Sequence, residues 1–247
     1  MKQSDFRIES NREIAPRVFS MVLSGDCAHI ERAGQFVNIK LDGFFLRRPI
    51  SVCSVDENIL RIVYKVVGDG TRKMAEMREG ETLNLLTGLG NGFSTEKSGT
   101  APLLIGGGVG IPPMFELARR LAREGKRVGA ILGFNTRDEI FMEGEFASVA
   151  DKVVVTTADG SYGVKGFVTD AMGLFSYTYT YSCGPEPMLR AVHAKSETGG
   201  QYSFEERMGC GFGACMGCSC ETLAGAKRIC REGPVLEKEE ILWQTRA

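Results

Sequence analysis

The chain has 247 residues, and its 30 lysines and arginines nearly balance 31 aspartates and glutamates, for a formal net charge of -1. Such a balance provides no overall field that would attract nucleic acid or an anionic membrane, so neither is expected as a partner. No charged-then-apolar leader and no apolar run near the length of a membrane span is found, so a cytoplasmic location is expected. In that reducing compartment, eight cysteines indicate metal or redox chemistry rather than disulfides.

The first part of the chain has the period-two pattern of β-strands. Apolar residues alternate with polar ones in short runs at 18–23, 35–40 and 60–67, with turn residues between the runs. This pattern predicts an all-β unit, a barrel or a sandwich, and a helix is expected over 70–78 with Thr71 as its cap. The unit is expected to occupy residues 1–97.

Two segments of this β unit suit phosphate binding. Arg47 and Arg48 precede Pro49, Ile50 and Ser51, so a guanidinium fork and a hydroxyl flank a proline-stiffened turn. The sequence GDGT at 68–71 offers backbone N–H groups just before the helix. Taken alone, the first segment is better explained by an arginine on a solvated face and the second by an ordinary turn.

After residue 100 the pattern changes to buried strands that alternate with helices. Strands are predicted at 103–105, 128–134, 153–157 and 178–183, and 202–205 is a candidate for a last one. Helices are predicted from residue 112 and over 139–150, 168–175 and 186–197. This alternation predicts a doubly wound parallel α/β sheet over residues 98–203.

Two loops are expected at the carboxyl edge of this sheet. The run GGGVGIPP at 106–113 lies between a strand and a helix, where backbone N–H groups and the helix dipole favour a dinucleotide diphosphate. It lacks the G-x-G-x-x-G fingerprint, so a ligand-free glycine turn stays open. Cys183 begins the second loop, and its thiol either packs against a nicotinamide ring or serves as a small buried hydrophobe.

Four cysteines near the C-terminus have the spacing of plant-type ferredoxin ligands. Cys210, Cys215 and Cys218 follow the pattern C-x4-C-x2-C within a glycine-rich run, and Cys230 is the distant fourth. This spacing predicts a [2Fe-2S] cluster with backbone N–H groups of the local glycines near its sulfurs. A tetrahedral zinc site is the alternative, although zinc usually takes paired C-x-x-C knuckles. Cys220 is interpreted as a bystander.

The order of these motifs resembles a known superfamily. Arg-Pro-x-Ser, Gly-x-Gly-Thr, the run at 106–113 and Cys-Gly-Pro-x-Pro-Met at 183–188 are similar to ferredoxin-NADP reductases over residues 1 to about 200. The sequence at 206–220, together with CREGPV at 230–235, resembles the electron-transfer subunits of the NAD-dependent (B-type) dihydroorotate dehydrogenases. That resemblance covers essentially the whole chain.

The resemblance implies a path for electrons in pyrimidine (UMP) biosynthesis. Dihydroorotate would reduce FMN in a separate catalytic subunit, and electrons would cross this chain through a [2Fe-2S] cluster and FAD to NAD. The chain would have no dihydroorotate site of its own. It would assemble with its partner as a heterotetramer of two plus two subunits.

The resemblance also implies the residues of each site. FAD would contact Arg48, Pro49, Ile50, Ser51, Val63, Tyr64, Lys65, Gly70 and Thr71, with Ser51 nearest the flavin ring. NAD would contact Gly106, Gly107, Gly108, Gly110, Cys183, Gly184, Pro185 and the segment 159–163. The cluster ligands would be Cys210, Cys215, Cys218 and Cys230, in a segment spanning 204–247.

Other interpretations stay open at this point. A reductase of the same kind could serve another partner, such as a hydrogenase or a ferredoxin-dependent transhydrogenase. A zinc-stabilised binding module without flavin is the third. After the second sheet strand, Asp138 suits a ribose hydroxyl and Arg137 suits a 2'-phosphate, so these residues leave NAD and NADP equally open.

Overall fold

The first unit of the chain is a closed antiparallel barrel. The structure is a computed structural model, and it describes residues 1–243. The predicted segment 204–247 therefore includes four residues, 244–247, that lie outside the described residues. The strands are β1 (Lys2–Ala15), β2 (Val18–Ser24), β3 (Phe36–Lys40), β4 (Arg48–Asp56), β5 (Ile59–Lys65) and β6 (Thr82–Leu89). Their order around the barrel is β1-β2-β5-β4-β3-β6. The predicted β unit is confirmed, and it is a barrel.

Strand β1 was not predicted from the sequence. Only Phe6 and Ile8 of its 14 residues are buried, so it lacks the alternating apolar pattern of the other strands. It forms because it pairs with β2 on one side and β6 on the other, which closes the barrel. The stability of this strand comes from its neighbours rather than from its own side chains.

The helix of the barrel, α1 (Asp69–Glu76), begins slightly before its predicted position. Its cap is Gly68, and Thr71 lies three residues further on. The hydroxyl of Thr71 accepts hydrogen bonds from the backbone N–H groups of Val67 at 3.0 Å and Gly68 at 3.2 Å. Thr71 thereby fastens the turn that precedes the helix.

The second unit is a seven-stranded sheet in the order β10-β9-β8-β7-β11-β12-β15. Its strands are β7 (Pro102–Gly107), β8 (Gly129–Phe134), β9 (Lys152–Thr157), β10 (Val164–Lys165), β11 (Tyr179–Cys183), β12 (Gly200–Ser203) and β15 (Val235–Glu237). All pairs are parallel except β12 with β15, which belongs to the C-terminal segment. The predicted parallel sheet is confirmed, with this antiparallel edge added.

Helices cover both faces of the sheet. They are α2 (Ile111–Arg123), α3 (Glu143–Ala147), α4 (Val168–Ala171) and α5 (Glu186–Lys195). Residues of α2 and α3 pack in one core cluster and residues of α4 and α5 in another, as a doubly wound sheet requires. The helix predicted over 139–150 is shorter because Met142 takes a left-handed conformation, with φ of 62°, just before α3. The helix predicted over 168–175 tightens after α4 into a 3-10 turn.

The C-terminal segment has little regular structure. It contains one hairpin, β13 (Ser219–Thr222) with β14 (Gly225–Arg228), and then β15. Cys218 and Cys230 pack in the same cluster as Phe36 of the barrel and Tyr202 of the sheet. The segment therefore lies where barrel and sheet meet.

Paired charges join the barrel to the sheet unit. Arg119 of α2 donates two hydrogen bonds to Asp56, at 2.5 and 3.0 Å. Arg61 forms a similar bidentate pair with Glu145. Such fork-shaped pairs fix orientation as well as distance, so the two units keep a defined arrangement. Separately, the described part of the chain has no helix long and apolar enough to cross a membrane.

Candidate functional site

The barrel opens at one end, where strands β4 and β5 separate. The β4–β5 ladder runs from Asp56 and Ile59 to Val52 and Ile62, where its registered pairs stop. Residues 48–51 continue to pair with β3, and residues 63–65 pair with β2. The facing edges of 48–51 and 63–65 can therefore offer backbone groups to a ligand. These are the segments that the resemblance to the family assigned to FAD.

Arg48 lies against the start of α1. A Cβ added to Gly70 would be 2.2 Å from the Arg48 Nε atom, so this contact is possible only with glycine. The guanidinium also lies 4.7 Å from the centre of the Phe44 ring. The arginine thus covers the helix N-terminus, and both features attract a diphosphate.

The three predicted residues of β5 do not all face the opening. Val63 packs in the core shared with the sheet unit, whereas Tyr64 lies in the barrel core with 2% of its surface exposed. The Tyr64 hydroxyl donates to Asn11 Oδ1 at 3.0 Å, and burial raises the pKa of the phenol. Only the backbone of Tyr64 is therefore open to a flavin.

The two predicted nucleotide loops meet at the switch point of the sheet. Strands β7 and β11 are neighbours, and the chain continues from them to opposite sides of the sheet, β8 and β9 on one side and β12 on the other. A crevice forms at the carboxyl ends of such strands. Gly110 lies so close to the second loop that an added Cβ would be 2.2 Å from the carbonyl oxygen of Cys183. The two glycine-containing turns are thus packed backbone against backbone.

The surroundings of these loops agree with a dinucleotide. Gly108 has a φ of +52° and faces open space, with no heavy atom within 4 Å of an added Cβ. Cys183 is 3% exposed, and burial followed by the nearby Glu205 raises the pKa of its thiol to about 12. A neutral thiol at this edge can pack against a ring but is no nucleophile.

The segment 159–163 is ordered by its own polar contacts. Asp159 Oδ1 accepts hydrogen bonds from the backbone N–H of Ser161 at 2.9 Å and from its hydroxyl at 2.6 Å. The Ser161 hydroxyl oxygen in turn accepts the backbone N–H of Arg137 at 2.8 Å. Arg137 lies 5.8 Å from the centre of the Tyr162 ring. Arg137, one of the residues that bear on coenzyme choice, is therefore held against the segment 159–163.

The four predicted cluster ligands come together as two pairs. The Cys210 sulfur accepts the backbone N–H groups of Ala214 at 3.2 Å and Cys215 at 3.4 Å, and the Cys215 sulfur accepts that of Cys210 at 3.4 Å. The Cys218 sulfur accepts the backbone N–H of Cys230 at 3.4 Å. Two thiol pairs suit two irons, each with two protein ligands. In residues 1–243, no three histidine, cysteine or acidic side chains converge on a single metal position.

The two pairs differ in electrostatics. Desolvation opposes ionisation of Cys210, but backbone N–H groups, first those of Phe212 and Cys215, outweigh it and lower the pKa of the thiol to about 6. Burial and then the Cys218 thiol raise the pKa of Cys230 to about 12. Cys210 is therefore prepared as a thiolate, whereas Cys230 must release its proton when metal binds.

Glycines shape the loop around the first pair. Gly211 and Gly213 have φ values of +78° and +94°, which few other residues tolerate. An added Cβ at Gly213 would lie 2.6 Å from Arg231. The loop can follow the sulfurs closely because these positions carry no side chain.

Cys220 differs from the four predicted ligands. It lies on β13 opposite Lys227, and burial followed by Glu206 raises the pKa of its thiol. None of the hydrogen bonds that join the four predicted ligands into pairs involves Cys220. These surroundings support its interpretation as a bystander, which stays a prediction.

Sequence reasoning missed several residues that hold this segment. Arg228 donates to the carbonyl of Gly213 at 2.7 Å and pairs with Glu232, and the side chain of Arg228 lowers the pKa of that carboxyl to about 2. Asn91 and Asn38 attach the segment to the barrel side. The partners of Asn38 and Asn91 are far away in the sequence, so no local pattern could have revealed these two residues.

Comparison with known proteins agrees with this arrangement. A family model of the iron-sulfur cluster binding domain of dihydroorotate dehydrogenase B matches residues 205–242, and a model of an oxidoreductase NAD-binding domain matches residues 104–194. The electron transfer subunit of dihydroorotate dehydrogenase B (NAD(+)) from Bacillus mycoides is 42% identical, covering 98% of this chain and 99% of that one. The same subunit from Bacillus pumilus is 40% identical, with 98% of each chain covered.

Solved structures share the fold. The structure of an NADH-dependent reduced ferredoxin-NADP oxidoreductase, described for flavin-based electron bifurcation, superposes with a TM-score of 0.88 and 32% identity, over 96% of this chain and 90% of that one. A ferredoxin NADP+ reductase from Neisseria gonorrhoeae with bound FAD and NADP reaches a TM-score of 0.69 at 18% identity, over 79% of this chain and 90% of that one. The latter shows likeness of fold alone.

These relatives, matched from end to end, confirm the resemblance seen in the motifs. The barrel suits FAD, the switch-point loops suit NAD, and the paired thiols suit an iron-sulfur cluster. The chain belongs to the family of electron transfer subunits of the NAD(+)-dependent dihydroorotate dehydrogenase B.

Proposed function

We propose that this chain relays electrons between FMN in a separate catalytic subunit and NAD, through a [2Fe-2S] cluster and FAD. The observation that carries the proposal is that the cluster ligands and the flavin segment meet at strand β3. Phe36 of β3 packs with Cys218 and Cys230 and pairs across the strand with Ser51 of the flavin segment. The barrel thus connects the cluster ligands directly to the flavin segment.

The chain's own residues would hold FAD at the opening of the barrel. Arg48 and the N-terminus of α1 with Gly70 and Thr71 would bind the diphosphate, and the exposed edges of Pro49, Ile50, Val63, Tyr64 and Lys65 would offer backbone groups. Ser51 would lie nearest the ring. Bound flavin supplies the exchange between one-electron and two-electron transfer.

NAD would lie in the switch-point crevice. Gly106, Gly107, Gly108 and Gly110 would bring backbone N–H groups to its diphosphate, while Cys183, Gly184 and Pro185 would border the nicotinamide. The close packing of Gly110 on Cys183 supports this assignment, because both loops must be adjacent to hold one ligand. The cluster would be bound by Cys210 with Cys215 and by Cys218 with Cys230.

Assembly with a catalytic subunit follows from this role. Phe212 and Met216, inside the cluster loop, expose 39% and 56% of their surface, so an apolar patch surrounds the ligands. A partner that exchanges electrons with the cluster would cover it. We propose a heterotetramer of two plus two subunits in the cytoplasm, without nucleic acid or membrane, and a division of the chain at 1–97, 98–203 and 204–247.

The experiment is to purify the chain alone and together with the catalytic subunit under anaerobic conditions. Alone, the chain should contain FAD, iron and sulfide, and it should reduce a dye with NADH but form no orotate from dihydroorotate. With the partner, dihydroorotate should reduce NAD. Orotate formation by the pure chain would contradict the division of labour, and zinc without flavin would contradict the electron-transfer role itself.

A second candidate has one specific observation in its favour. The TM-score of 0.88 to an NADH-dependent reduced ferredoxin-NADP oxidoreductase is compatible with a flavin subunit that serves a ferredoxin-linked partner. Affinity purification of the tagged chain from its own cells separates the two candidates. Recovery of a different oxidoreductase, without the dihydroorotate-oxidising subunit, would favour the second.

A further inference from the structure

Asn38 lies on the outer face of the barrel beside the flavin segment. Its neighbours on β3, Val37 and Ile39, belong to the barrel core, so the alternation of the strand turns Asn38 outward. Asn38 is paired across the strand with Pro49. Side chains of directly opposite residues share one face of a sheet, so Asn38 borders the Arg-Pro-x-Ser segment.

The same side chain contacts the cluster loop. Asn38 Nδ2 donates a hydrogen bond to the carbonyl oxygen of Cys210 at 3.2 Å, across 172 residues of sequence. An added Cβ at Gly211 would lie 2.3 Å from Nδ2, so the loop approaches the amide as closely as a glycine allows. One side chain therefore spans the space between the flavin segment and the first cluster ligand.

Asn38 is also incompletely paired. It is 1% exposed, and its Oδ1 has no hydrogen-bond partner in the part of the chain that the structure describes. The amide cannot be reversed, because Oδ1 would then face the Cys210 carbonyl. Pro49 opposite has no N–H to donate. A buried unpaired acceptor destabilises the fold, so stability of the chain alone gives no reason for an asparagine here.

Asn91 shows the contrasting case on the other side of the segment. Its Nδ2 donates to the carbonyls of Glu232 at 3.0 Å and Val235 at 2.7 Å, and its Oδ1 accepts the backbone N–H of Val235 at 3.1 Å. All its polar atoms are used, as in a purely structural clamp. Asn38 makes one bond to the loop and leaves the other atom for a group from outside the chain.

We propose that Asn38 is a positioning residue for electron passage between the flavin and the cluster. Through the Cys210 carbonyl it holds the first ligand of the cluster against the strand that carries Pro49, and so keeps the two centres at a constant separation. Its Oδ1 accepts a hydrogen bond from a donor group of the bound flavin or from a water molecule beside the flavin. The inference rests on the proposed FAD site at residues 48–51.

The experiment compares variants of the chain that carry FAD and cluster, in complex with the catalytic subunit. After anaerobic mixing with NADH, bleaching of flavin absorbance and the rise of the reduced-cluster signal in freeze-quench electron paramagnetic resonance are followed. The quantity of interest is the rate of cluster reduction divided by the rate of flavin reduction. Amide hydrogen exchange of residues 209–215 is measured on the same samples.

Asn38→Leu should lower that ratio by roughly fivefold, the factor expected when one hydrogen bond no longer holds the loop. Exchange at 209–215 should rise by a similar factor, while the melting temperature stays close to that of the parent because the unpaired acceptor is also removed. Asn38→Gln, which keeps an amide donor, should recover part of the ratio. Asn84→Leu is the matched control, because the bonds of the Asn84 amide go to Asp5 and Arg47 within the barrel.

An unchanged ratio in Asn38→Leu, or an equal loss in Asn84→Leu, overturns the proposal. If Asn38→Leu does not retain its cluster, Asn38→Ser, whose side chain is too short for the carbonyl, is measured in its place with the same expectations. Failure of the proposed function looks different, because the parent protein itself would then lack flavin or cluster, or would not be reduced by NADH.

Discussion

The barrel and the cluster segment are stabilised in opposite ways. The barrel closes six strands by continuous backbone ladders around an apolar core. The cluster segment has one short hairpin and one edge strand, and isolated polar contacts from Asn38, Asn91 and Arg228 hold the rest of it. A flavin site built on ladders is formed before its ligand arrives. A cluster site built on single contacts is completed by the metal itself.

The largest effect on electron transfer should appear when a thiol of a predicted cluster ligand is removed. Cys218→Ser should abolish the cluster and the dihydroorotate-dependent reduction of NAD, because only the route between the two flavins is cut. Cys220→Ser is the matched control two residues away and should retain both. Iron and sulfide content with NAD reduction assays checks this. Survival of NAD reduction in Cys218→Ser would mean that electrons take another route.

A methyl group at the switch point of the sheet tests the close packing of the two nucleotide loops. Gly110→Ala would place a methyl group 2.2 Å from the Cys183 carbonyl, and the resulting overpacking should cost about 1–3 kcal/mol of stability and weaken NAD binding. Gly144→Ala in α3 meets no atom within 4 Å and should leave both unchanged. Denaturant unfolding and NADH titration measure the effect. Equal behaviour of the two variants would remove the argument for close packing.

Removal of the Asn91 side chain, whose polar atoms are all hydrogen-bonded, should destabilise the cluster segment. Asn91→Leu removes three hydrogen bonds and leaves buried backbone groups unpaired, so it should destabilise the segment by about 3 kcal/mol. Asn135→Ala, at an exposed position, should change stability very little. Hydrogen exchange across 229–236 reports the segment separately from the barrel. A loss of protection confined to the barrel would contradict this account.

The barrel itself should respond mainly through flavin affinity. Arg48→Ala should weaken FAD binding by about 1.5–3 kcal/mol, since a charge-assisted contact to phosphate is lost while the ladders remain. Arg72→Ala is the control, because Arg72 lies on α1, the helix whose start Arg48 contacts, but its exposed side chain pairs only with Asp69 among the ion pairs described. FAD titration of the stripped protein gives both affinities. Unchanged affinity in Arg48→Ala would contradict its assignment to the site.

The smallest effect concerns pH. The surrounding protein desolvates the carboxyl of Glu205 and thereby raises its pKa. The folded chain then holds this proton more tightly than the unfolded chain, and stability falls as pH rises through the two pKa values. Glu205→Gln should lack this decline in the flavin-free protein. Urea unfolding at several pH values tests it, and parallel curves for parent and variant would contradict the expectation.

Prediction from the sequence succeeded where spacing or periodicity carries the information. The period-two runs indicated an all-β unit, and the glycine turn at 106–110 and the cysteine spacing indicated a dinucleotide-binding and a cluster-binding unit, which the family models at 104–194 and 205–242 match. Prediction failed for β1, because its mostly polar sequence has no strand pattern. The strand forms because β2 and β6 pair with it. Prediction also placed Tyr64 in the flavin site without distinguishing side chain from backbone, which only the burial of the ring in the barrel core decides.

By itself, the sequence determined the fold class, the types of ligand and the four candidate thiols, because these depend on local order along the chain. The tertiary structure alone decided that the thiols form two pairs and that Gly110 packs on Cys183. It alone also decided that Asn38 joins the barrel to Cys210. The contacts of Gly110 and Asn38 bring together residues far apart in sequence, and the energies of all these contacts depend on three-dimensional burial and direction, which no linear pattern records.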